Sequence, residues 1–169
     1  MSRLFQFVRQ WKPIIKEGFS QSFLIAKFLC LLHVTNTHVC TPVLVYGPSM
    51  LPTLNLTGDV VLVEHLSQKF GKVGPGDVVV VRSPENPRKT VTKRIVAVEG
   101  ESVTFLVEPA LSDRSHTVVV PRGHVWIQGD NIYSSRDSRQ FGPVPYGLIL
   151  GKAFWRVWPP DAFGSLSQE

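Results

Sequence analysis

The chain has 169 residues, 43% of them hydrophobic, which suits one modest domain with an appendage and excludes an intrinsically disordered protein. Its net charge is +5, but residues 1–58 contain five basic side chains against one acid, Glu17. From Asp59 onward 13 basic residues nearly balance 12 acidic ones, which argues against a nucleic-acid-binding face on the domain. The basic N-terminal arm instead favours targeting or membrane contact.

The arm, residues 1–42, is predicted to contain a membrane segment. Ser22–Val34 is apolar apart from three polar residues, and extending it back to Gly18 gives 17 residues. Because a spanning helix usually needs about 20, the segment is either a marginal single span or an interfacial helix. Upstream, apolar and basic residues alternate, which is typical of mitochondrial targeting regions, and no small-residue cleavage site follows the apolar run.

Two cysteines, Cys30 and Cys40, precede the predicted domain. Neither has the C-x-x-C or Cys/His spacing of a metal site, and a disulfide between them would not hold a core together. We expect free thiols and no bound metal.

From Val43 onward, short valine-rich runs separated by turn residues predict an antiparallel, all-β domain of residues 43–169. The predicted strands are Val43–Tyr46, Val60–Glu64, Val78–Arg82, Val91–Val98, Val103–Val107, Thr117–Val120, Val125–Gln128 and Leu148–Val157. This part of the sequence has no long helical periodicity, which counts against Rossmann and helical-bundle folds.

Ser49 is the first residue with chemical potential, since it lies in a turn between Pro48 and Pro52 after an apolar strand. Nearby prolines restrict the backbone, which suits a hydroxyl nucleophile that must stay beside a base. On its own, the Gly-Pro-Ser sequence is equally an ordinary turn.

Lys93 shares one face of its predicted strand with Val91, Ile95 and Ala97. Desolvation there disfavours the ammonium and lowers its pKa, so that such a lysine can remove a proton from a serine hydroxyl near neutral pH. Alternation alone also permits an edge lysine whose stem covers apolar surface while its amine reaches water.

The polar loop Gly129–Gly142 contains more hydroxyls and carboxylates than a turn requires. Asp137 with Arg139 can brace it while a serine hydroxyl orients the lysine amine, although a hydrophilic connection with incidental ion pairs remains the alternative. Asp130 and Asp137 also suggest an acid pair of the glycosidase kind, but nearby arginines favour keeping both ionised.

A Ser-His-Asp triad is a further alternative, because such triads are recognised by geometry rather than by sequence. None of the five histidines lies in a motif, and each is expected to be an ordinary surface or strand-end residue. They are His33, His38, His65, His116 and His124.

Taken in order, the serine turn, the lysine strand and the Gly-Asp-Asn loop resemble the type I signal peptidase family. The matching segments are Pro48–Leu54, Gly76–Val79, Lys93–Glu101 and Gly129–Gly142, within a resemblance that covers about residues 43–158. The compact spacing from Lys93 to Gly129 and the basic, acid-poor arm look most like the mitochondrial inner membrane branch of the family.

The resemblance implies a serine endopeptidase with Ser49 as nucleophile, Lys93 as general base and the Ser49 backbone N–H as an oxyanion donor. It implies removal of sorting presequences from proteins delivered to the intermembrane space, by an enzyme of the mitochondrial inner membrane whose catalytic domain faces that space. No metal, organic cofactor or nucleic acid is expected. The implied partners are presequence-bearing substrates, the membrane and a second, related catalytic subunit.

The resemblance also implies supporting roles within the site. Ser135 would orient the lysine, Asp137 with Arg139 would brace the loop, and Met50 and Leu54 would line the pocket for the residue before the cut. One departure concerns Gly47, where many bacterial relatives carry a serine that acts as a second oxyanion donor. Glycine has no side chain to donate, so a backbone N–H or water takes that role, or the oxyanion hole is weaker.

Three alternative functions remain open at this level. A bacterial or plastid signal peptidase would share every catalytic residue and differ only in the arm and tail. A self-cleaving repressor of the SOS type uses a similar Ser-Lys pair, but would carry an upstream DNA-binding helix-turn-helix instead of an apolar segment. A non-catalytic β-domain that binds presequences would have no need of a lysine on an apolar face.

Overall fold

The computed structural model describes residues 2–107 and 115–166, and for residues 2–10, 12 and 13 it describes the helical backbone alone. The chain divides between His38 and Val39 into two units.

The first unit is a long helix, α1, Ser2–Val34, after which a π-helical turn covers Thr35–Val39. Ile14–Val39, 26 residues, is long and apolar enough to cross a membrane by length and composition. At about 1.5 Å per residue it measures about 39 Å, against a hydrocarbon core of about 30 Å. The helical segment is longer than the 17 residues counted from the sequence because the helix continues beyond both ends of the apolar run.

The second unit consists mainly of short strands. In chain order they are β1 Cys40–Val45, β2 Asp59–Glu64, β3 Val78–Arg82, β4 Thr90–Val98, β5 Ser102–Leu106, β6 Ser115–Val119, β7 His124–Gln128, β8 Val144–Pro145, β9 Ile149–Trp158 and β10 Gly164–Ser165. Two helices of one turn each, α2 Leu66–Lys69 and α3 Ser138–Phe141, lie in the connections. Short 3-10 turns cover Pro48–Met50, Tyr146–Leu148 and Pro160–Ala162.

Eight of these strands form one sheet in the order β1-β2-β9-β3-β4-β7-β8, with β10 paired to β9. Every pairing is antiparallel, so the predicted all-β, antiparallel fold class is confirmed. All eight predicted runs form strands, whereas β8, β10 and the one-turn helices were not predicted. Because the β1–β2 ladder begins at Cys40 opposite Glu64, the expected boundary after residue 42 falls inside β1.

The core lies on both faces of β3, since four consecutive valines of this strand are buried. Val78 and Val80 contribute to one apolar cluster and Val79 and Val81 to another. Alternation of side chains along a strand sends successive residues to opposite faces. A continuous valine run is therefore what a strand with two packed faces requires.

A two-stranded sheet of β5 and β6 stands beside the main sheet and encloses a third apolar cluster. In this cluster the rings of Phe105 and Trp126 lie 4.7 Å apart. The hairpin occupies the segment between Val98 and Val125, where the family resemblance implied an abbreviated second β-domain. Outside the hairpin, the two cysteines, Cys30 and Cys40, are both free thiols.

Candidate active site

A cleft of about 400 Å³ lies between β1 and the first half of β4. Both Ser49 and Lys93 line it. Three strands separate β1 from β4 in the sheet order, so the sheet must curve to bring them to one cleft. Two of the pairings between them, β2–β9 and β3–β9, have irregular register, and bulges of this kind bend strands and increase local twist.

At this cleft, residues 43–45 of β1 and residues 90–93 of β4 have a backbone edge that pairs with no strand in the described part of the chain. β1 pairs only with β2 among the described strands. Along β4, residues 90–93 pair with β3, but pairing with β7 begins at Arg94, opposite Gln128. Unpaired strand edges are templates for an added strand, so the cleft offers backbone hydrogen-bonding groups to an extended peptide.

Ser49 sits in the 3-10 turn that follows β1, where its side chain is half-buried. Asn131 fixes the turn from the opposite loop. The Asn131 backbone N–H donates to the Ser49 carbonyl oxygen at 3.0 Å, and Asn131 Nδ2 donates to the Pro48 carbonyl oxygen at 3.1 Å. The turn is entered at Gly47 with φ 109, a backbone conformation that glycine adopts without strain.

Lys93 is 3% exposed and lies opposite Val79 in the β3–β4 ladder. Its neighbours Val91 and Ile95 belong to the same apolar cluster as Val79, whereas Ala97, beyond the register shift in β4, packs in the third cluster. Burial lowers the pKa of Lys93 from 10.5 to about 8. Asp137 and Asp130 oppose this by raising the pKa, and Arg139 reinforces it.

The loop after β7 is organised around the buried carboxylate of Asp137. Arg139 donates to it from Nε and Nη2, both at 2.8 Å, Ser135 Oγ donates at 2.6 Å, and the Gly129 N–H donates at 2.9 Å. The carboxylate also caps α3, whose capping box includes Gln140. Burial raises the pKa of Asp137, but the bonds from Arg139, Gly129 and Ser135 outweigh it and hold the pKa below its ordinary value.

Gly129 brings this loop into contact with the serine turn. A Cβ atom at Gly129 would overlap the Ser49 carbonyl oxygen and the Ser135 hydroxyl oxygen. The backbone of Ser49 and the side chain of Ser135 therefore both border a position that only glycine can occupy.

A second, partly buried ion pair, Arg94–Asp130, joins the serine turn, the lysine strand and the polar loop. No role was predicted for this pair from the sequence. Arg94 donates to Asp130 from Nε at 2.8 Å and from Nη2 at 2.7 Å. Thr53 Oγ1 donates to the same carboxylate at 2.5 Å. Burial raises the pKa of Asp130, but the bonds from Arg94 and Thr53 hold it below its ordinary value. Thr53 lies four residues after Ser49, Arg94 directly follows Lys93, and Asp130 is the second residue of the polar loop. The Asp130 carboxylate therefore connects the serine turn, the lysine strand and the loop.

The segment after Ser49 is also held from the other side. Arg156 on β9 donates from Nη1 to the Thr53 carbonyl oxygen at 2.9 Å and to the fully buried Asp59 at 3.2 Å. Asp59 in turn accepts hydrogen bonds from the backbone and side-chain amides of Asn55, both at 2.9 Å. Thr53 is thus bonded through its hydroxyl and its carbonyl to two different arginine–aspartate pairs.

The two residues expected to line a substrate pocket have different positions. Met50, although 1% exposed in the first apolar cluster, is among the residues that line the cleft next to Ser49. Leu54 is 1% exposed in the first apolar cluster and is not among the residues that line the cleft. The physical reason is the turn itself, in which the Leu54 N–H donates to the Met50 carbonyl oxygen at 2.9 Å and the chain turns into the core. Leu54 thus lies in the core and outside the lining of this cleft.

None of the histidines, all of which lie in the described part of the chain, lines the cleft. His65 lies within hydrogen-bonding distance of Thr41 Oγ1 at 3.0 Å and of the Leu150 carbonyl oxygen at 2.8 Å. His124 lies 2.9 Å from the Arg122 carbonyl oxygen. The cleft is therefore lined by Ser49 and a lysine, and by none of the five histidines.

A family model described as signal peptidase, peptidase S26, matches residues 19–108 and 106–158. This chain belongs to that family. The match includes both strands of the cleft, the serine turn and the loop around Asp137. Membership confirms the resemblance inferred from the order of the motifs, and it makes the chain a serine endopeptidase of the signal peptidase type.

Relatives refine the assignment within the S26 family. The chain is 61% identical over 160 residues to mitochondrial ATP-independent inner membrane protease subunit 1a of Arabidopsis thaliana, covering 95% of each chain. It is 41% identical over 137 residues to mitochondrial inner membrane protease subunit 1 of Homo sapiens, covering 81% of each. The predicted location in the mitochondrial inner membrane is confirmed by these relatives.

Two further comparisons reach more distant proteins. The chain is 34% identical over 162 residues to mitochondrial inner membrane protease subunit 2 of Mus musculus, covering 94% of this chain and 89% of that one. A crystal structure of a signal peptidase I from Enterococcus faecalis V583 aligns with 24% identity and a TM-score of 0.41, over 48% of this chain and 96% of that one. The all-β fold class is established by the antiparallel strand pairing within this chain.

Sequence reasoning identified the serine, the lysine and the loop of this S26 member, but not Thr53, Arg94 and Arg156 as parts of the site. Alternation along the strand places Arg94 on the face opposite to that of Lys93. Arg94 is only 9% exposed, and the alternation of side chains along a strand does not predict this burial.

Proposed function

We propose that this S26 peptidase removes sorting presequences from proteins delivered to the mitochondrial intermembrane space, with Ser49 as nucleophile and Lys93 as general base. The observation that carries the proposal is the buried Lys93 with a pKa of about 8, lining the same cleft as Ser49. At pH 7 about one lysine in ten would be the free amine, enough for a base that is regenerated in every cycle.

In the proposed reaction, Ser49 Oγ attacks the scissile carbonyl carbon while Lys93 Nζ accepts the hydroxyl proton. Lys93 then donates that proton to the leaving amine, and the peptide bond breaks to leave an acyl ester on Ser49. A water molecule attacks the ester carbonyl carbon while Lys93 accepts a proton from it. Lys93 returns this proton to Ser49 Oγ as the ester bond breaks, which releases the new carboxyl terminus and regenerates the enzyme. No cofactor takes part.

Ser135 supports the lysine in this proposal. Its hydroxyl proton is committed to Asp137 at 2.6 Å, so the lone pairs of Ser135 Oγ are free to accept a hydrogen bond from the lysine amine. Arg139 anchors Asp137, and through Asp137 it fixes the direction of that hydroxyl. These three residues therefore act as positioning residues for Lys93.

The oxyanion would be stabilised by the backbone N–H of Ser49. Gly47 offers no side-chain donor, and its φ of 109 is a backbone conformation that L side chains rarely adopt. A second donor must then be a backbone N–H or a water molecule.

The substrate is proposed to bind as an extended strand between β1 and residues 90–93 of β4, pairing with their open edges. Met50, which lines the cleft beside Ser49, would contact the side chain before the cut. The apolar segment Ile14–Val39 would anchor the enzyme, with the catalytic unit in the intermembrane space. Because the relatives include subunits 1 and 2 of an inner membrane protease, we propose a related catalytic subunit as partner.

The test is cleavage of presequence-bearing proteins by detergent-solubilised, full-length wild type and variants. Ser49→Ala and Lys93→Ala should each nearly abolish cleavage, and the double variant should lose little more, because the two residues act as a unit. Lys93→Arg should also fail, since a guanidinium stays protonated. Lys72→Ala and Lys72→Arg, at an exposed lysine outside the cleft, are the matched controls and should retain full activity.

Substantial activity in Lys93→Arg would contradict the proposed base. Inactivity of a histidine variant, with Lys93 dispensable, would favour a triad. Binding without cleavage by the wild type would favour the alternative of a non-catalytic presequence-binding domain.

A further inference from the structure

The cleft has an uneven distribution of charge. Three basic side chains line it, Arg88, Lys89 and Lys93, and no carboxylate is among the lining residues that the structure describes. Lys93 is the proposed base, so its charge is accounted for. Arg88 and Lys89, here called the basic rim, lie at the end of the loop between β3 and β4 and have no role in the reaction.

The one acid in this loop is already paired elsewhere. Arg136 donates to Glu85 from Nε at 2.7 Å and from Nη2 at 2.6 Å, which gives a two-bond ion pair. The pair lowers the pKa of Glu85 and keeps it ionised against Arg136. In the described part of the chain neither Arg88 nor Lys89 takes part in an ion pair. Two positive charges of the rim are therefore uncompensated.

The backbone of the rim is fixed by the loop. The Ser83 N–H donates to the Lys89 carbonyl oxygen at 2.9 Å, and the Lys89 N–H donates to the Asn86 carbonyl oxygen at 2.9 Å. The Arg88 N–H donates to Asn86 Oδ1 at 3.1 Å. The side chains of Arg88 and Lys89 are exposed, but their backbone is fixed by these hydrogen bonds. The two positive charges therefore stay at one end of the cleft.

The distance from the basic rim to Lys93 determines which substrate residue lies beside the rim. Lys89 precedes Lys93 by four residues, and at about 3.3 Å per residue β4 covers about 13 Å between them. An extended peptide has the same rise, so the side chain beside Lys89 is about four residues from the bond that lies beside Lys93.

We propose that the basic rim of Arg88 and Lys89 selects substrates with an acidic side chain about four residues from the cleaved bond. The inference rests on the proposed function and adds a specificity to it. Solvent-exposed pairs contribute modestly, so we expect roughly a three- to tenfold preference in kcat/KM for Glu over Lys at that position at low salt. The preference should appear mainly in KM and should shrink as salt is added.

The experiment uses the full-length enzyme in detergent and a presequence-bearing protein that the wild type cleaves, with the bond mapped by mass spectrometry. Substrates carry Gln, Glu or Lys at the fourth residue before the bond or, in a second series, at the fourth residue after it. The enzymes are wild type, Arg88→Glu/Lys89→Glu, and the matched double reversal Lys72→Glu/Arg122→Glu, whose positions are exposed and outside this cleft.

Wild type and the matched control should prefer Glu over Gln and Gln over Lys in one of the two series, and the rim reversal should prefer Lys. That exchanged preference is independent of the total activity, so partial misfolding of a variant does not imitate it. Equal cleavage of the three substrates in both series, or the same preference in all three enzymes, would overturn the inference while leaving the peptidase activity in place. Failure to cleave even the Gln substrates, with Ser49→Ala no worse, would instead overturn the proposed function.

Discussion

Arg94 and Asp130 form a two-bond ion pair, with Nε–Oδ1 at 2.8 Å and Nη2–Oδ2 at 2.7 Å. Arg94 directly follows Lys93, and Asp130 is the second residue of the polar loop. Thr53 Oγ1 bonds to the same carboxylate. One partly buried carboxylate thus connects the serine turn, the lysine strand and the loop.

Replacing Asp130 with Asn should destabilise the domain by about 3–5 kcal/mol, because the buried guanidinium of Arg94 loses its counter-charge. Thr53→Val removes a single hydrogen bond and should cost about 1 kcal/mol. Urea unfolding measures both, and kcat should fall in both variants with less change in KM. A stability loss in Asp130→Asn no larger than in Thr53→Val would contradict this role.

The activity of the wild type should rise with pH through a midpoint near 8, because only the neutral amine of Lys93 acts as base. Val91 lies two residues away on the same face and lines the cleft, so a carboxylate there would stabilise the ammonium. In Val91→Glu the midpoint of kcat/KM should therefore move to higher pH, whereas in Val91→Gln it should not. Val91 is used because Ile95, the other neighbour, is fully buried and a charge there would disrupt the core. An unmoved midpoint in folded Val91→Glu would exclude Lys93 as the base.

The same pKa predicts that Lys93 destabilises the folded domain at neutral pH. Its folded pKa of about 8 lies below the ordinary 10.5, so stability is lost as pH falls from 10.5 to 8 and stays lost below 8. Lys93→Met keeps most of the volume without the charge and should be more stable at pH 7 by up to about 3 kcal/mol. Urea unfolding at pH 7 and near pH 10.5 should show this gap and its closure. Equal stability of both proteins at pH 7 would count against a desolvated lysine.

Gly129→Ala should reduce kcat strongly and destabilise the domain by about 1–3 kcal/mol, because the added methyl group overlaps the Ser49 carbonyl and the Ser135 hydroxyl. Gly147→Ala is the matched control, since its added Cβ would meet nothing within 4 Å. Neither glycine has a positive φ, so backbone strain does not distinguish them. Kinetics and thermal unfolding of the two variants test the contact, and full activity of Gly129→Ala would refute it.

The apolar segment Ile14–Val39 should keep the full-length protein in the membrane pellet after carbonate extraction. A chain that begins at Val39 should be recovered in the supernatant. That start is chosen because the Val39 carbonyl oxygen accepts a hydrogen bond from the His65 N–H at 3.0 Å, so a later start would remove a bond of the catalytic unit. Release of the full-length protein by carbonate would indicate an interfacial helix and would leave the catalytic proposal unaffected.

Local patterns in the sequence were sufficient to predict the strands and to select the candidate site residues. Valine-rich runs between turn residues predicted eight strands that form. The reason is that a strand packed on one or both faces favours β-branched residues, and these are visible within a run of a few residues. The serine turn, Lys93 and the Gly129–Gly142 loop were identified by their order along the chain. The length of the helical segment was underestimated, since the polar residues that flank an apolar run do not by themselves end a helix.

The sequence by itself therefore determined the fold class, the family and the set of candidate residues, because each depends on local composition or on motif order. Tertiary structure alone decided that Lys93 is buried enough for a pKa near 8, that Leu54 lies in the core and that β1 and β4 share a cleft. It also decided that Thr53, Arg94 and Asp130 meet. The reason is that desolvation and ion pairing depend on distances between side chains 36 to 77 residues apart, and only the curvature and register of the sheet fix those distances.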